Sequence, residues 1–235
     1  MSLVLCLQYF QDDKEQAMRL ARLIADIQPT WSPQYEFMFV PRFDCTLDRA
    51  TIRHVSRKFN VWTHVSTRRE MGWPAGCNGV AHDVFMDSLQ RLKDGRWAGV
   101  DGVWFLEGDS LPLAKDWLEK ISAEWKEARE AGKVVMGAWQ SEWSPEGHLN
   151  GNMLFVPDLA SHVRGLEGCP PHMPWDTFHA PKFAKRWHKS PQMVNFYKRI
   201  RVKEDELWGG DKKWVFVHGV KDDSGYELVK AKLLS

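Results

Sequence analysis

Apolar and polar positions fall into alternating blocks along the first part of the chain. Leu3–Tyr9 is a short apolar run that reads as a strand. Lys14–Ile27 follows, with apolar residues at 17, 20, 21, 24 and 27, which is helical spacing, and Pro29 and Pro33 break it. Tyr35–Val40 reads as a second strand ending in Pro41-Arg42-Phe43-Asp44. Leu47–Phe59 is weakly helical, and Val61–Val65 is a short third strand. Gly72-Trp73-Pro74-Ala75-Gly76-Cys77-Asn78-Gly79 is a glycine-rich turn leading into a helix over Val80–Leu92. The strand Val103–Leu106, a helix over Leu113–Ala131 and the strand Val134–Trp139 complete the series. Strand and helix in alternation predict an α/β fold with a mostly parallel central sheet flanked by helices.

After Trp139 the rhythm is lost. Ser141–Leu149 is a polar loop, and Asn150–Val156 is a strand-like piece beginning Asn-Gly-Asn. Leu166–Pro181, rich in Pro, Gly, His and Trp, reads as an irregular functional loop. Ser190–Arg201 has the look of a helix, Trp214–His218 of a last strand, and a lysine-bearing tail closes the chain. No repeat, low-complexity tract or linker interrupts this pattern, so one domain over residues 1–235 is expected.

Composition changes the picture little, apart from 13 tryptophans, which suit both a core and stacking surfaces for rings. The net charge is +1, but His179–Lys213 holds ten Lys/Arg against four Asp/Glu, which leaves the rest of the chain mildly acidic. The cysteines, Cys6, Cys45, Cys77 and Cys169, are too scattered for a metal knuckle, a redox pair or a disulfide framework. A reducing, cytoplasmic setting is the expectation, in a bacterial or phage-infected cell. The apolar N-terminus has no basic lead and reads as a strand, not a signal peptide. No apolar run is long enough to span a bilayer, so no membrane partner is expected.

The chemistry concentrates at Gly102-Val103-Trp104-Phe105-Leu106-Glu107-Gly108-Asp109. A buried strand delivers two carboxylates to its carboxyl end, where open α/β sheets place their ligands. Glu107 and Asp109 can share a hard divalent cation, with Gly108 turning the backbone between them, or Asp109 can cap the next helix. His218, just past the last strand and followed by Gly219, can complete an oxygen-rich shell, although a lone histidine is also a common structural residue. There is no Walker-type Lys-Ser/Thr and no Gly-x-Ser-x-Gly elbow, which excludes a P-loop and a serine-hydrolase reading.

In this order the pieces resemble the GT-A class of nucleotide-sugar glycosyltransferases. The resemblance rests on a strand–helix–strand opening, then Gly76-Cys77-Asn78-Gly79-Val80-Ala81, Glu107-Gly108-Asp109, Asn150-Gly151-Asn152-Met153-Leu154-Phe155, Trp175-Asp176-Thr177 and the late His218. Glu107 departs from the pattern, which more often has Asp there. The resemblance implies a GT-A-like fold with a nucleotide-binding half over about 1–140 and an acceptor and metal-completing half over about 141–235. It implies a divalent metal (Mn²⁺ or Mg²⁺) held by Glu107, Asp109 and His218, and a nucleotide-sugar donor, a UDP-sugar first. Arg42, Asp44, Asn78, Gly79 and Lys221 are expected on the nucleotide, with a surface ion pair and a solvated lysine as competing accounts. Asp176 is the candidate general base, with capping of a local turn as the alternative and Glu142 as a weaker rival. Trp139, Asn150, Gly151, Asn152 and Trp175 are expected on the acceptor side.

The basic segment sets the acceptor expectation. Lys182, Lys185, Arg186, Lys189, Lys198, Arg199, Arg201 and Lys203 interleave with Phe183, Trp187, Phe196, Tyr197 and Trp208. Cations that track phosphates and rings that stack on bases suit nucleic acid; a solvated face over core aromatics is the alternative. Lys185, Arg186, Trp187 and Lys189 would then touch a hydroxymethylated base in double-stranded or base-flipped DNA, as in DNA modification by a phage enzyme. A glycan acceptor stands close behind. A nucleotidyltransferase and a non-catalytic nucleic-acid-binding module are the other readings. Gln11-Asp12-Asp13 after the first strand, where a basic glycine-rich loop would be wanted, argues against the former.

Overall fold

The computed structural model describes residues 1–141, 147–163, 165 and 169–235. Ten strands and eight helices run in the order β1 (Leu3–Tyr9), α1 (Lys14–Ile27), β2 (Tyr35–Pro41), α2 (Arg49–Val55), β3 (Asn60–Thr63), α3 (Ala75–Lys93), β4 (Gly102–Leu106), β5 (Leu111–Pro112), α4 (Trp117–Glu130), β6 (Val135–Gln140), β7 (His148–Phe155), α5 (Leu159–His162), α6 (Trp175–Phe183), β8 (Trp187–Lys189), β9 (Met193–Arg199), α7 (Glu204–Trp208), β10 (Phe216–Val220) and α8 (Ser224–Leu233), counted among the described residues.

Seven strands form the central sheet in the order β3-β2-β1-β4-β7-β6-β8. The first four are mutually parallel, β7 is antiparallel to both β4 and β6, and β8 returns parallel to β6. This is the mostly parallel, helix-flanked α/β sheet expected from the alternating blocks. β1 sits between β2 and β4 and is buried along its whole length, which is why it reads as an apolar run interrupted only by Gln8.

β4 shows how the layers are built. Successive strand residues point to opposite faces. Trp104 packs on Trp117 of α4 and Phe216 of β10, with ring centroids 5.2 and 4.6 Å away. Its neighbour Phe105 meets Trp175 of α6 at 5.9 Å on the other face, where Phe85 of α3 joins the cluster. Gly102, on the Trp104 side, leaves room for the Trp125 indole, whose Nε1 donates to the Asp101 carbonyl at 3.2 Å. A small second sheet, β5-β10-β9, lies at the carboxyl end of β4.

Several expectations are corrected. The helix expected over Leu113–Ala131 begins at Trp117, because Leu111 and Pro112 first pair antiparallel with Val217 and Phe216. Asp109 therefore caps no helix. The helix expected over Ser190–Arg201 is the strand β9, fixed by parallel pairing to β10; long-range pairing overrides an ambiguous local pattern there. Part of the irregular loop expected over Leu166–Pro181 is helix α6, and Leu166, Glu167 and Gly168 lie outside the described residues. α3 begins within the glycine-rich turn, and the tail contains α8. His218 lies inside β10 and not beyond it.

Trp104 is fully buried and ringed by aromatic side chains. Trp104→Ala should destabilise the fold by about 3–5 kcal/mol, read from urea unfolding midpoints. An unchanged midpoint would remove β4 from the centre of the packing.

Candidate active site

β4 ends at Leu106, and the next residues turn under the sheet edge. Two devices hold that turn. Asn152 of β7 is buried, and in the orientation that satisfies its amide its oxygen accepts the Glu107 N–H at 3.1 Å while its nitrogen donates to the Phe105 carbonyl at 3.1 Å. The Asp109 carbonyl then accepts the N–H groups of Gly219 and Val220 at 3.2 and 3.1 Å. Gly108 lies against α1; a Cβ there would sit 2.9 Å from the Ala17 nitrogen. The glycine is needed for close approach to a helix backbone, and not for a left-handed turn.

This brings His218 back onto the carboxylates, more than a hundred residues on. His218 Nε2 lies 2.9 Å from Glu107 Oε2 and 3.1 Å from Asp109 Oδ1. Its Nδ1 faces Asn195 Oδ1 at 3.1 Å, so Nε2 is the nitrogen presented to the carboxylates. Gln8 Nε2 donates to the other oxygen of Glu107 at 3.0 Å, and the Lys221 ammonium pairs with Asp109. Burial alone would raise Asp109, but His218 and Lys221 outweigh it and hold the carboxyl well below the usual range. Burial would lower His218, but Asp109 and Glu107 outweigh it and push the imidazole up to about 10.

The donor set fits a divalent ion. Glu107, Asp109 and His218 each offer one ligand atom, and these atoms lie within 4.8 Å of one another. Oxygen donors with one imidazole suit Mn²⁺, and a hydrogen-bond acceptor on the remote imidazole nitrogen, here Asn195 Oδ1, is what metal-binding histidines usually have.

The triad forms part of the wall of a cavity of about 450 Å³. Asp176, in the first turn of α6, lies on the same cavity and is buried. Its Oδ1 accepts the Thr177 N–H at 2.8 Å, and Gly151 offers it a second backbone N–H. Gly151 lies beside both groups; a Cβ there would be in ordinary contact with the Trp175 ring at 3.4 Å and with Asp176 Oδ2 at 3.5 Å. Burial raises Asp176, the Thr177 N–H opposes it, and the nearby Glu107 charge adds to it, leaving the carboxyl at about 6.

The other expected site residues divide into two groups. Lys221, Asn78, Asn150, Gly151 and Trp175 line the cavity. Yet the Asn78 amide is engaged: it donates to the Pro170 and Met173 carbonyls at 3.2 and 2.9 Å and accepts the Trp175 N–H at 2.9 Å. It pins the entry to α6 onto α3. The rest are elsewhere. Gly79 admits the Arg68 side chain against α3, with a Cβ 3.0 Å from Arg68 Cβ. Arg42 and Asp44 pair with each other, Nε to Oδ1 at 2.7 Å, and the Arg42 guanidinium stands 5.2 Å from the Phe10 ring centre. Asn152 braces the carboxylate turn. The Trp139 ring meets Trp187 edge-on at 5.1 Å and carries the Lys189 ammonium 3.2 Å from its centre. Arg186 donates to the His162 carbonyl at 3.1 Å, and the Lys185 carbonyl accepts from Lys133 at 3.4 Å. None of Lys185, Arg186, Trp187 and Lys189 lines the cavity. Glu142 lies outside the described residues.

Sequence reasoning missed Gln8, Gln140, His148 and Asn195 as site residues. Each is an isolated polar residue on or beside a strand, and no local spacing marks it. Trp73, 64% exposed, and Tyr197 also line the cavity.

No protein-family model matches the chain, and no curated protein matches it by sequence. Solved structures do match in fold. S. aureus TarS (residues 1–349) is similar over 97% of this chain and 63% of that one, at 12% identity and a TM-score of 0.55. A glycosyltransferase involved in the glycosylation of the major capsid of PBCV-1 is similar over 98% of both chains, at 13% identity and a TM-score of 0.53. The mannosyltransferase PcManGT from Pyrobaculum calidifontis, solved with GDP-Man and Mn²⁺, is similar over 80% of this chain and 54% of that one, at 15% identity and a TM-score of 0.52. The chain thus spans less than two thirds of TarS 1–349 and nearly all of the PBCV-1 protein. It shares the fold of glycosyltransferases, as the GT-A resemblance implied.

Gly108→Ala forces a methyl onto the backbone of α1 and should cost about 1–3 kcal/mol, measured by chemical denaturation. A variant as stable as the parent would show that the turn is free to move away from α1.

Proposed function

We propose that this chain is a metal-dependent glycosyltransferase that moves a sugar from a nucleoside-diphosphate sugar to a hydroxyl. The observation that carries the reading is one cavity bearing two kinds of acid. Glu107 and Asp109 share a wall with His218, and the separately buried Asp176 sits at about 6 on the same cavity. The fold likeness to glycosyltransferases supports it, as does PcManGT, whose structure holds GDP-Man and Mn²⁺.

A bound divalent ion would supply Lewis-acid stabilisation of the charge that develops on the departing diphosphate. Asp109, held ionised by its cationic neighbours, and Glu107 and His218 are the residues that would hold it. Lys221 adds positive charge beside the same leaving group. Asp176 takes the proton of the acceptor hydroxyl as that oxygen attacks the anomeric carbon. A carboxylate at about 6 is a better base than an ordinary one and is still mostly ionised at neutral pH. Trp175, edge-packed on Phe85 and Phe105, fixes the start of α6 and thereby the base.

The lining favours a saccharide acceptor. Apart from Lys221 and His218, the described lining holds no cationic side chain; it offers neutral polar groups such as Asn150 and Thr177, and the rings of Trp73 and Tyr197. Rings stack on sugar faces, and neutral amides and hydroxyls pair with sugar hydroxyls. The cations of the basic segment that favoured a DNA base lie away from this lining, and several have partners within the protein: Lys182 donates to Gly165, Arg186 to His162, and Arg199 pairs with Glu206.

The test is a panel of nucleotide sugars, UDP-sugars first, with Mn²⁺ or Mg²⁺, read as released nucleotide and as product on simple glycosides and on hydroxymethylated DNA. Metal-dependent transfer to a glycoside is the expected result; transfer to DNA alone would return the acceptor to a base, and no donor turnover would remove the function. Asp109→Asn should abolish metal-stimulated turnover in the same assay.

Asp176→Asn should lower transfer by about 10²–10⁴-fold. It should not lower thermal stability. The folded carboxyl lies above its ordinary value, so the ionised form costs stability at neutral pH, and the amide avoids that cost. For the parent, the pH–rate profile should fall on the acid side with a midpoint near 6. A profile flat down to pH 5 would take the base role from Asp176.

A further inference from the structure

A line of hydrogen bonds joins the two halves of the cavity. It runs from Glu107 through His218 to Asn195, then through Gln140 to His148, whose Nε2 lies 3.3 Å from Thr177 Oγ1 and 3.8 Å from Asp176 Oδ2. The amide groups in it have a direction, and one backbone group sets it. The Tyr197 N–H donates to Asn195 Oδ1 at 3.1 Å. Asn195 Oδ1 must therefore be an acceptor towards His218 as well, so His218 Nδ1 keeps its hydrogen, and Nε2, which faces the carboxylates, is the nitrogen that would give up its proton to an ion. The Asn195 amide nitrogen then donates to Gln140 Oε1, and Gln140 Nε2 donates to His148 Nε2 at 2.6 Å. An imidazole nitrogen that accepts a hydrogen bond holds no proton, so neutral His148 is the Nδ1–H tautomer.

The backbone is shaped to make this possible. Tyr197 has φ +44°, in the left-handed region, and Gly219 opposite has φ +91°. The pairing of β9 with β10 shifts register there, and a Cβ on Gly219 would meet the Tyr197 nitrogen at 2.8 Å and Asn195 Oδ1 at 3.0 Å. Sparsely populated backbone conformations of this kind persist where surrounding structure holds them. Gln140 and His148 are both buried, so a reversed amide would have no water to repair it.

We propose that Asn195 is a positioning residue that sets the polarity of both histidines at once: it presents His218 Nε2 to the metal-type carboxylates and keeps an imidazole N–H away from the base Asp176. The oxygen Asp176 Oδ2 is thereby left to an acceptor hydroxyl. This deepens the glycosyltransferase reading and rests on it for the roles of His218 and Asp176.

The experiment compares Asn195→Asp and Asn195→Leu in the full chain. An aspartate still accepts from Tyr197 and His218 but cannot donate, so Gln140 must turn over and offer its oxygen to His148. Long-range ¹H–¹⁵N spectra of the metal-free protein, with His148 assigned through H148Q, should give the Nδ1–H tautomer in the parent and the Nε2–H tautomer in N195D. Mn²⁺ affinity, followed by the electron paramagnetic resonance of free Mn²⁺, should be kept within a few-fold in N195D. It should fall about 10–100-fold in N195L, which loses the partner of His218 Nδ1. An Nε2–H tautomer in the parent, an unchanged tautomer in N195D, or parent-like Mn²⁺ binding by N195L would each overturn the proposal. If the parent itself binds no Mn²⁺, the metal reading falls, and the tautomer comparison still decides the role of Asn195. If N195L fails to fold, the parent and N195D spectra decide it.

Discussion

The Asp109 carbonyl is the point on which the site depends. Two N–H groups of β10, those of Gly219 and Val220, converge on it, and the pairing of Leu111 and Pro112 with Val217 and Phe216 continues the same contact. These bonds join two segments more than a hundred residues apart. Closing so long a loop is entropically costly, but the cost grows only slowly with length, and buried backbone groups left unpaired would cost more. Once β10 is seated, the imidazole of His218 has little freedom. It lands within hydrogen-bond distance of both carboxylates. The β5-β10-β9 sheet is therefore the device that turns a strand-end acidic turn into a three-part site.

Such a site is expensive in a dry setting, and its neighbours explain how it persists. Asp109 and His218 are both buried, and either charge alone would be strongly penalised. Together with Lys221 and the Gln8 and Asn195 amides they form a set in which donors meet acceptors. The same logic recurs at a distance from the cavity, where buried Glu124 accepts from Ser190 and Gln192 and pairs with His188 at 2.8 Å. That second cluster fastens the β8–β9 segment to α4, and so carries Asn195 to its place. Asp176 is treated differently. Among the described residues it receives backbone N–H groups and only a weak, distant pull from the His218 charge, and it rests higher. The cavity thus holds two carboxylate environments, one charge-paired and one desolvated, and in the proposed reading that difference separates holding an ion from accepting a proton.

The acceptor reading turned on position, not on composition. The basic, aromatic stretch is real in the sequence, and its lysines and arginines are mostly exposed. But β8 and β9 direct much of that charge to carbonyls, to Glu206 and to the face of Trp139. What reaches the cavity from this stretch is Asn195 and Tyr197. The described lining sets carboxylates, neutral amides and rings around Lys221 and His218, and carboxylates repel a phosphate backbone.

The first half of the fold was legible from the chain alone. β1, α1, β2, β4 and β6 follow from local periodicity, because a strand buried on both faces and an amphipathic helix each print their environment on their own residues. α1 was expected and is found at Lys14–Ile27. The strand-end pair Glu107 and Asp109 was visible for the same reason. The second half was not, since β9 owes its form to pairing with β10, and β5 to a two-residue contact that leaves no pattern. Asn78, Asn152, Arg42 and Asp44 were read as ligands from type and place in sequence; the tertiary structure engages them with their own neighbours. Gln140, His148 and Asn195 carried no sequence signal, because a hydrogen bond between distant side chains has no period and no spacing. Local periodicity gave the sheet and delivered the acids to its edge. Long-range pairing alone decided which nitrogen, which amide and which carboxylate face one another there.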